Sequence, residues 1–434
     1  FHDLKYAGKT HKDKLNNIYH KLKSLSVDYY LLTSLDSIAW LLNIRGNDIL
    51  YTPLALSFAI INKDGKIDLF IDLKKITKIK SKLKDNVNFH SFSKIKKFIS
   101  KINKKFVLGL DKTKVAYVFE KICKENSIKI KYLSDPCVYP KSQKNYFEIK
   151  GARNANLKDG FSITKFLYWL ENEMVIENTD EIKAAKYLYN LRKKNDLFFS
   201  SSFETISAIG ENSALPHYKL TNNTNKRFKK NTIYLVDSGA QYLDGTTDIT
   251  RTVILGKPTK EQKDRFTRVL KGHIAIANAK FKINSKGSKL DFLARSSLLK
   301  IGCDYNHGTG HGIGSFLSVH EGPQRIAKAK ANVKEGKIKE GMILSNEPGY
   351  YKEFKYGIRT ENLILTIKDK SKKLKFETIS FAPIDKRLID KSILTSKEIN
   401  WINLYHKKVF LHFAAKMTNK EKKWLKKVTK PIKN

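Results

Sequence analysis

Five side chains that could bind metal ions lie in the second half of the sequence, mostly at the edge of β-forming runs and close to glycines: Asp237, Asp248, His311, Glu347 and Glu361. Four carboxylates placed together would raise one another's pKa, and two divalent cations would cancel their negative charges. One imidazole among oxygen ligands suits manganese, cobalt, iron or zinc better than calcium. A five-ligand set with open positions therefore predicts two bridged metal ions that activate a water molecule.

The first two carboxylates lie in one stretch, TIYLVDSGAQYLDGTTDITRT, residues 232–252. Two apolar, β-branched runs joined by a polar Asp-Gly turn predict a β-hairpin, with Asp237 ending the first strand and Asp248 inside the second. Read alone, the stretch leaves an equal alternative, in which each Asp caps a turn or pairs with a cation such as Arg251. A hairpin would let both carboxylates point into one pocket.

The other three candidates sit in separate segments. HGTGHGIGSFLSVHEGP contains His311, NEPGYY contains Glu347, and YGIRTEN contains Glu361. Each segment alone is weak evidence, because a histidine between glycines is as often a loop residue and Asn-Glu-Pro-Gly is a common turn. Together, and in this order, the segments favour a metal site over a set of structural turns.

The elements that must position these residues form two predicted domains. Alternating strand and helix patterns over residues 1–142 predict an α/β domain. Because this region of the sequence has neither a glycine-rich phosphate loop nor a cluster of metal-binding side chains, we interpret it as an accessory domain. Its predicted helices and strands are 12–25, 29–32, 35–42, 57–61, 67–71 and 106–110. The Pro-punctuated segment 135–141 predicts an extended linker. Residues 143–434 make up the second domain.

The second domain is predicted to alternate between long helices and strands. Its predicted helices are 145–174, 180–194, 259–280 and 288–301, and its predicted strands before the glycine-rich region are 203–209, 232–237 and 246–255. Thr259 and Gln262 have the spacing of a capping box. A basic helical tail, 396–428, could pack on the domain through five apolar side chains: Trp401, Leu404, Val409, Phe413 and Trp424.

The composition indicates a globular protein, with 41% hydrophobic and 11% aromatic residues. Lys and Arg number 84 against 42 Asp and Glu, which gives a formal charge of +42. Since the lysines are scattered and no arginine-rich patch appears, we interpret this charge as compositional bias and expect neither a nucleic-acid nor a membrane partner. Three cysteines without CxxC spacing indicate a reducing compartment, and no apolar run approaches the ~20 residues that span a bilayer.

These motifs resemble the pita-bread metallopeptidases of family M24, and within them the cytosolic eukaryotic type of Xaa-Pro aminopeptidase. The resemblance rests on DSGAQYLDGTTDITRT, HGTGHGIGSFLSVHEGP and EPGYYKEFKYGIRTEN, and it extends to KYAGKTHKDKL and SLDSIAWLLNIRGNDI. It implies an α+β fold, with a pita-bread (creatinase/aminopeptidase) catalytic domain at 143–434 preceded by an α/β creatinase-like domain at 1–142. It also implies a cytoplasmic homodimer with a further N-terminal domain before Phe1.

The resemblance implies a role for each metal-binding candidate. Asp237 would bind one ion, Asp248 and Glu361 would bridge both ions, and His311 and Glu347 would complete the other. Two divalent ions are expected, with Mn²⁺ preferred and Co²⁺ or Zn²⁺ as alternatives. A hydroxide that bridges the metals would attack the peptide bond before a second-position proline, and Glu347 would carry the proton.

Five further residues are implied to serve the substrate. His217, His307 and His320 match the non-ligand active-site histidines of the family, which would hold the substrate and stabilise the developing oxyanion. Arg359 would orient a ligand carboxylate. Arg45, in the accessory domain, is expected to face the active-site cleft.

Three functions are compatible with these features. The first is an aminopeptidase that releases the residue before a proline, the second is a prolidase restricted to dipeptides, and the third is a catalytically inactive pita-bread module that binds protein or nucleic acid. The accessory domain of the cytosolic type favours the first function. The intact ligand set argues against the third, because inactive modules of this fold typically lose ligands.

Overall fold

The computed structural model of the protein describes residues 1–330 and 335–433. The chain divides into two compact units, Phe1–Glu148 and Ile149–Asn434. Each unit combines helices with β-sheets, which confirms the predicted α+β class. Among the described residues, no helix has both the length and the apolar character that crossing a membrane would require.

The first unit contains one six-stranded mixed sheet with short helices. Its helices are α1 (Leu4–Ala7), α2 (His11–Ser24), α3 (Leu35–Leu42), α4 (Lys80–Leu83), α5 (Ile95–Ser100), α6 (Tyr117–Glu125) and α7 (Val138–Ser142). Its strands are β1 (Tyr29–Leu32), β2 (Ser57–Ile61), β3 (Ile67–Ile71), β4 (Val87–Ser91), β5 (Val107–Leu110) and β6 (Lys129–Tyr132). The strand order is β4-β3-β2-β1-β5-β6. Every residue of β3 is buried, as expected for a strand covered on both faces.

The predicted linker at 135–141 was wrong, because this segment contains helix α7. Its polar residues bind α3: Ser37 Oγ donates to Asp135 Oδ2 at 2.6 Å, and Lys141 Nζ lies 2.8 Å from Asp36 Oδ2. Lys141 is almost fully buried in this ion pair. Contacts between residues about 100 positions apart therefore fold a segment whose prolines suggested an extended chain.

The described residues of the second unit form four sheets and include the longest helices. Its helices are α8 (Tyr146–Asn172), which begins at the end of the first unit, α9 (Glu181–Lys193), α10 (Lys260–Ala277), α11 (Ser288–Leu299), α12 (Ser396–Phe413) and α13 (Asn419–Val428). Its first strands are β7 (Phe198–Ser201), β8 (Ile206–Ile209), β9 (Thr232–Ser238), β10 (Ala240–Tyr242), β11 (Gly245–Thr246), β12 (Ile249–Leu255) and β13 (Lys280–Phe281). The later strands are β14 (Gly310–Gly312), β15 (Glu321–Ile326), β16 (Ile343–Asn346), β17 (Gly349–Lys352), β18 (Tyr356–Arg359), β19 (Asn362–Lys368) and β20 (Leu374–Thr378).

The sheets bring distant parts of this unit together. The largest has the order β13-β20-β19-β16-β14-β15, two three-stranded sheets have the orders β12-β9-β8 and β11-β10-β7, and β17 pairs with β18. One hydrophobic core joins helices α8, α10 and α12 to strands β9 and β12. The predicted capping box of α10 is confirmed, since Thr259 Oγ1 accepts from Gln262 N and Thr259 N donates to Gln262 Oε1.

The predicted hairpin is confirmed as an antiparallel pair of β9 with β12, with Asp237 opposite Thr250. Its connection differs from the prediction, because β10 and β11 form a smaller hairpin within it. Thr247 ends this inner hairpin, as its Oγ1 accepts a hydrogen bond from Ala240 N at 2.9 Å. Asp248 consequently lies just before β12, not inside a strand.

The basic tail forms α12 and α13 and packs on the second unit through most of the predicted side chains. Val409, Phe413 and Trp424 are buried in the core, and Trp401 stacks on Tyr405. Leu404 was wrongly included, since it is 52% exposed on the outer face of α12.

Candidate metal centre

Three of the predicted ligands converge on one point. One ligand atom each from Asp248, His311 and Glu361 lies within 4.8 Å of the other two. His311 Nε2 is 3.4 Å from Asp248 Oδ2 and 3.6 Å from Glu347 Oε1. Asp237 lines the same cavity. The fold therefore brings together all five side chains from four different segments.

Three carboxylate oxygens of this group lack hydrogen-bond partners among the described residues. They are Asp237 Oδ1, Asp248 Oδ1 and Glu361 Oε1, and all three are buried. A buried carboxylate oxygen without a partner is costly, because it has lost water without gaining a donor. Cations are the partners that would satisfy several such oxygens at once, so the donor set fits divalent metal ions.

The imidazole of His311 is oriented for the same purpose. Its Nδ1 lies 3.0 Å from the carbonyl oxygen of Gly312, which can only accept a hydrogen bond. Nδ1 therefore carries a proton, and Nε2 points at the carboxylates of Asp248 and Glu347. In a neutral imidazole, Nε2 is then the nitrogen that can bind a metal ion.

Two glycines allow His311 to occupy this position. β14 runs between β15 and β16 in the large sheet. A Cβ atom on Gly310 would collide with the carbonyl oxygen of Ser345, and one on Gly312 would collide with that of Glu321. The glycines beside the histidine are thus required by close approach of the neighbouring strands.

Two of the four acids in the site have strongly raised pKa values. Burial, followed by the charges of Asp237 and Glu347, raises the pKa of Asp248 well above its usual range. Burial, followed by the charges of Asp248 and Asp237, raises the pKa of Glu361 in the same way. Without metal, these groups would hold protons where a cation would otherwise bind.

A buried hydrogen-bond network contacts two of the predicted ligands, Asp237 and Glu361. Arg359 Nη2 donates to Asp237 Oδ2 at 2.6 Å, and its Nε donates to Thr250 Oγ1 at 3.2 Å. Thr250 Oγ1 in turn donates to Glu361 Oε2 at 2.7 Å. Although burial opposes the charge of Arg359, the surrounding Tyr351, Asp237 and Glu347 raise its pKa well above the usual value. Arg359 therefore stays charged and fixes the carboxylate of Asp237, one of the predicted ligands.

Arg251, the alternative partner considered for Asp248, binds elsewhere. Its guanidinium donates to the backbone oxygens of Glu361 and Ala382 and to Asn362 Oδ1. It supports the segment that carries Glu361, and none of its hydrogen bonds among the described residues goes to Asp248.

Tyr351 links this network to His307. Arg359 Nη1 donates to the Tyr351 hydroxyl at 2.6 Å, and the hydroxyl lies 2.9 Å from His307 Nε2. His307 Nδ1 lies 2.8 Å from the carbonyl oxygen of Gly308 and so carries the proton, which leaves Nε2 to accept from Tyr351. Burial lowers the pKa of His307, consistent with this neutral form.

Changing Tyr351 to Phe is expected to weaken metal affinity or activity about 10- to 100-fold, the usual effect of removing a group that orients a metal ligand. The ring is kept, so packing is preserved, while Arg359 and His307 lose their common partner. Metal titration of the apoprotein and steady-state kinetics measure the two effects. Tyr350→Phe, on the opposite face of β17, is the matched control. Equal values for both variants and the wild type would rule out this role for Tyr351.

The predicted substrate-binding histidines line the same cavity, whose volume is about 580 Å³. The rings of His320 and His311 lie 4.3 Å apart. Loss of water and the neighbouring His311 lower the pKa of His320 to about 4, so it is neutral at pH 7. His217 lies in the exposed loop that precedes β9. Their roles stay predictions.

Arg45 lies in the first unit, on the segment that follows α3. Its Nη1 donates to the backbone oxygens of Ala39 and Ile44, at 3.0 and 2.9 Å. The expectation that Arg45 contacts substrate stays a prediction.

Sequence reasoning assigned no role to Thr250, Ser345 or Tyr351. Ser345 Oγ accepts from His311 N at 2.9 Å and donates to Glu347 Oε1 at 3.2 Å, and so connects two predicted ligands. Thr250 and Tyr351 lie inside the quoted motifs. Their proximity in sequence to a predicted ligand does not show that their hydroxyls contact it, because that contact depends on how the strands pair.

Comparison with known proteins covers both units. Residues 150–368 match the model of metallopeptidase family M24, residues 1–148 that of the creatinase/prolidase N-terminal domain, and residues 372–432 that of the C-terminal region of M24 peptidases. The chain is similar to Xaa-Pro aminopeptidase 1 of Dictyostelium discoideum, with 38% identity over 449 residues that cover 100% of this chain and 70% of that protein.

Two solved structures are also similar. X-prolyl aminopeptidase from Caenorhabditis elegans, described as a cytosolic enzyme with a di-nuclear active site, matches with a TM-score of 0.92 and 38% identity, over 99% of this chain and 72% of the other. Prolidase from Pyrococcus horikoshii OT3 matches with a TM-score of 0.68 and 26% identity, over 86% and 99% of the two chains. These similarities confirm the predicted creatinase-like domain followed by a pita-bread catalytic domain.

Proposed function

The chain belongs to metallopeptidase family M24, and on this basis we propose that it is a metal-dependent aminopeptidase that hydrolyses the first peptide bond of peptides with proline as the second residue. The proposal rests on one observation: buried carboxylate oxygens without hydrogen-bond partners among the described residues lie together with Nε2 of His311. The substrates would be peptides that begin Xaa-Pro, which the names of the relatives, Xaa-Pro aminopeptidase and X-prolyl aminopeptidase, support.

Two divalent ions would be held by the five ligands, and we expect Mn²⁺. These ligands would be Asp237, Asp248, His311, Glu347 and Glu361. When bound, the ions would polarise the peptide carbonyl and lower the pKa of water to near neutrality. The protein's part is to fix the ligands and exclude competing donors.

Glu347 is the ligand carboxylate best placed to move a proton. Its side chain is 17% exposed, against 5% for Asp248. Water and substrate can therefore reach it, while one of its oxygens is held by Ser345. Glu347 would accept the proton lost by the attacking water and deliver it to the proline nitrogen as the peptide bond breaks.

The histidines would stabilise the oxygen on which charge develops. His320 is neutral at pH 7 and lies against His311, so its N–H can face the carbonyl that reacts. His217 and His307 line the same cavity and would hold the peptide. Phe203, Ile206 and Pro216 give the cavity an apolar wall suited to a pyrrolidine ring.

Replacing His320 with Ala is expected to lower kcat about 100- to 1,000-fold, the usual cost of one oxyanion donor. Bound metal should be unchanged, because His320 is not among the proposed ligands. Metal analysis and kinetics on one Xaa-Pro peptide test both statements. Loss of metal together with activity would instead make His320 a ligand.

Cleavage of Arg-Pro-Pro by the metal-loaded protein tests the proposed function. Release of free arginine supports an aminopeptidase. If the protein cleaved the dipeptide Arg-Pro but left the tripeptide intact, the result would favour the prolidase alternative. Similarity to the Pyrococcus prolidase is the reason to test this alternative. No cleavage of any Xaa-Pro peptide by metal-loaded protein would favour an inactive binding module.

We also propose a cytoplasmic homodimer. The Caenorhabditis enzyme is described as cytosolic, which supports the location. Sedimentation analysis of the purified chain measures its mass in solution, and a monomer would contradict the dimer.

A further inference from the structure

The cavity that holds the proposed metal site has an unusual share of cationic side chains. Besides the histidines, it is lined by five of them: Arg295, Arg325, Lys328, Lys330 and Arg359. Among the described residues that line it, the only carboxylates are the four proposed ligands. Once two divalent ions neutralise those carboxylates, the remaining charge of the cavity is positive.

Most of these cations already have partners. Arg295 donates to Asp291, Asp304 and the backbone oxygens of Tyr305 and His307. Arg359 is held by Asp237, Thr250 and Tyr351, as described above. Lys328 Nζ lies 2.6 Å from Asp304 Oδ2. These contacts explain their positions without a ligand.

Arg325 differs from the other two arginines. Its Nη2 is buried and has no hydrogen-bond partner among the described residues. A buried guanidinium nitrogen without an acceptor is costly, and an anion within reach of the guanidinium would relieve that cost.

The strand register aims Arg325 at the metal site. β15 pairs with β14 so that the Cα atom of Arg325 is opposite that of His311. Residues directly opposite in an antiparallel pair point to the same face of the sheet, with Cβ atoms about 5 Å apart. Arg325 therefore extends into the cavity beside a proposed ligand.

We infer that Arg325 binds a carboxylate on the leaving side of the peptide, beyond the proline, an inference that rests on the proposed aminopeptidase function. The carboxylate is either the C-terminus of a short peptide or an acidic side chain after the proline. Arg325 would thus determine which Xaa-Pro peptides are cleaved fastest, and bidentate geometry suits a guanidinium to this task.

Charge decides the direction of the peptide. The N-terminal ammonium of the substrate is repelled by a guanidinium, whereas a carboxylate is attracted to it. Each residue of an extended peptide spans about 3.5 Å, so an arginine that starts next to the metal site reaches one or two residues beyond the proline. Lys330, which is exposed and also lines the cavity, adds to the electrostatic field that attracts anions.

Paired substrates test the inference through ratios of kcat/KM on the metal-loaded full chain. Ala-Pro-Ala against Ala-Pro-Ala-amide tests the C-terminal carboxylate, and Ala-Pro-Glu-amide against Ala-Pro-Gln-amide tests the side chain. The wild type is expected to favour the carboxylate about 10- to 100-fold in at least one pair, as for a hydrogen bond to a charged group. The ratio should approach one in Arg325→Gln and be partly kept in Arg325→Lys.

Lys300→Gln, which removes one exposed charge outside the cavity, is the control for net charge and should keep the wild-type ratio. Bound metal and circular dichroism check that each variant is folded. Ratios near one in the wild type, or a preference that survives Arg325→Gln, would overturn the inference. Cleavage of the amides at any rate shows that the proposed function stands even then, whereas no cleavage of any of the four peptides would refute that function itself.

Discussion

Replacing Asp248 with Asn is expected to lower kcat/KM for an Xaa-Pro peptide at least about 1,000-fold, well beyond the 10- to 100-fold loss typical of residues that only support a ligand. The amide has nearly the same size but cannot supply a second anionic oxygen to a bridged pair of cations. The protein should therefore bind fewer than two ions. Metal analysis and kinetics on the same sample measure both effects.

The matched control is Asp244→Asn. Asp244 lies in the inner hairpin of the same stretch, is also buried, and binds Lys158 rather than the metal site. This variant loses an ion pair but should keep its metal and most of its activity. If Asp248→Asn kept both ions and acted within tenfold of the wild type, the proposed ligand set would be wrong.

Removing the metal is expected to destabilise the second unit, and more at high pH than at low pH. Ions present at 1,000 times their dissociation constant stabilise a folded protein by about 4 kcal/mol. At about 2–4 °C per kcal/mol for a domain of this size, the melting temperature should fall by on the order of 10 °C. Differential scanning calorimetry with and without a chelator measures the change.

The pH dependence follows from the raised pKa values of Asp248 and Glu361. Because their folded pKa lies above the ordinary carboxyl value of about 4, the folded apoprotein binds protons that the unfolded chain does not. Their destabilising effect is absent below that ordinary value and is complete above the raised one. The apoprotein should therefore lose stability as pH rises between the two, and bound cations should suppress this slope.

A variant checks the origin of the slope. Asp248→Asn removes one of the two buried charges, so its apoprotein should depend less on pH and melt higher than the wild-type apoprotein at alkaline pH. An unchanged slope would place the pH dependence elsewhere in the chain.

Local chemistry in the sequence determined much of this protein. Strong apolar periodicity and caps determined the long helices, as Thr259 and Gln262 show for α10. The residue types alone identified the four acids and the histidine as candidate metal ligands. Four carboxylates and one imidazole, mostly next to glycines and at strand ends, form a donor set that suits divalent metal ions. The pairing of β9 with β12 followed from two β-branched runs and a turn.

The tertiary structure decided what depends on contacts between distant residues. Contacts with α3 accompany the helix Val138–Ser142 in place of an extended linker, and the inner hairpin moved Asp248 out of a strand. The network of Thr250, Tyr351 and Arg359 exists only because separate strands meet, and Arg325 faces His311 only through the register of β14 with β15. Periodicity describes a residue's own element, whereas the partner of a side chain is set by packing, which no local pattern records.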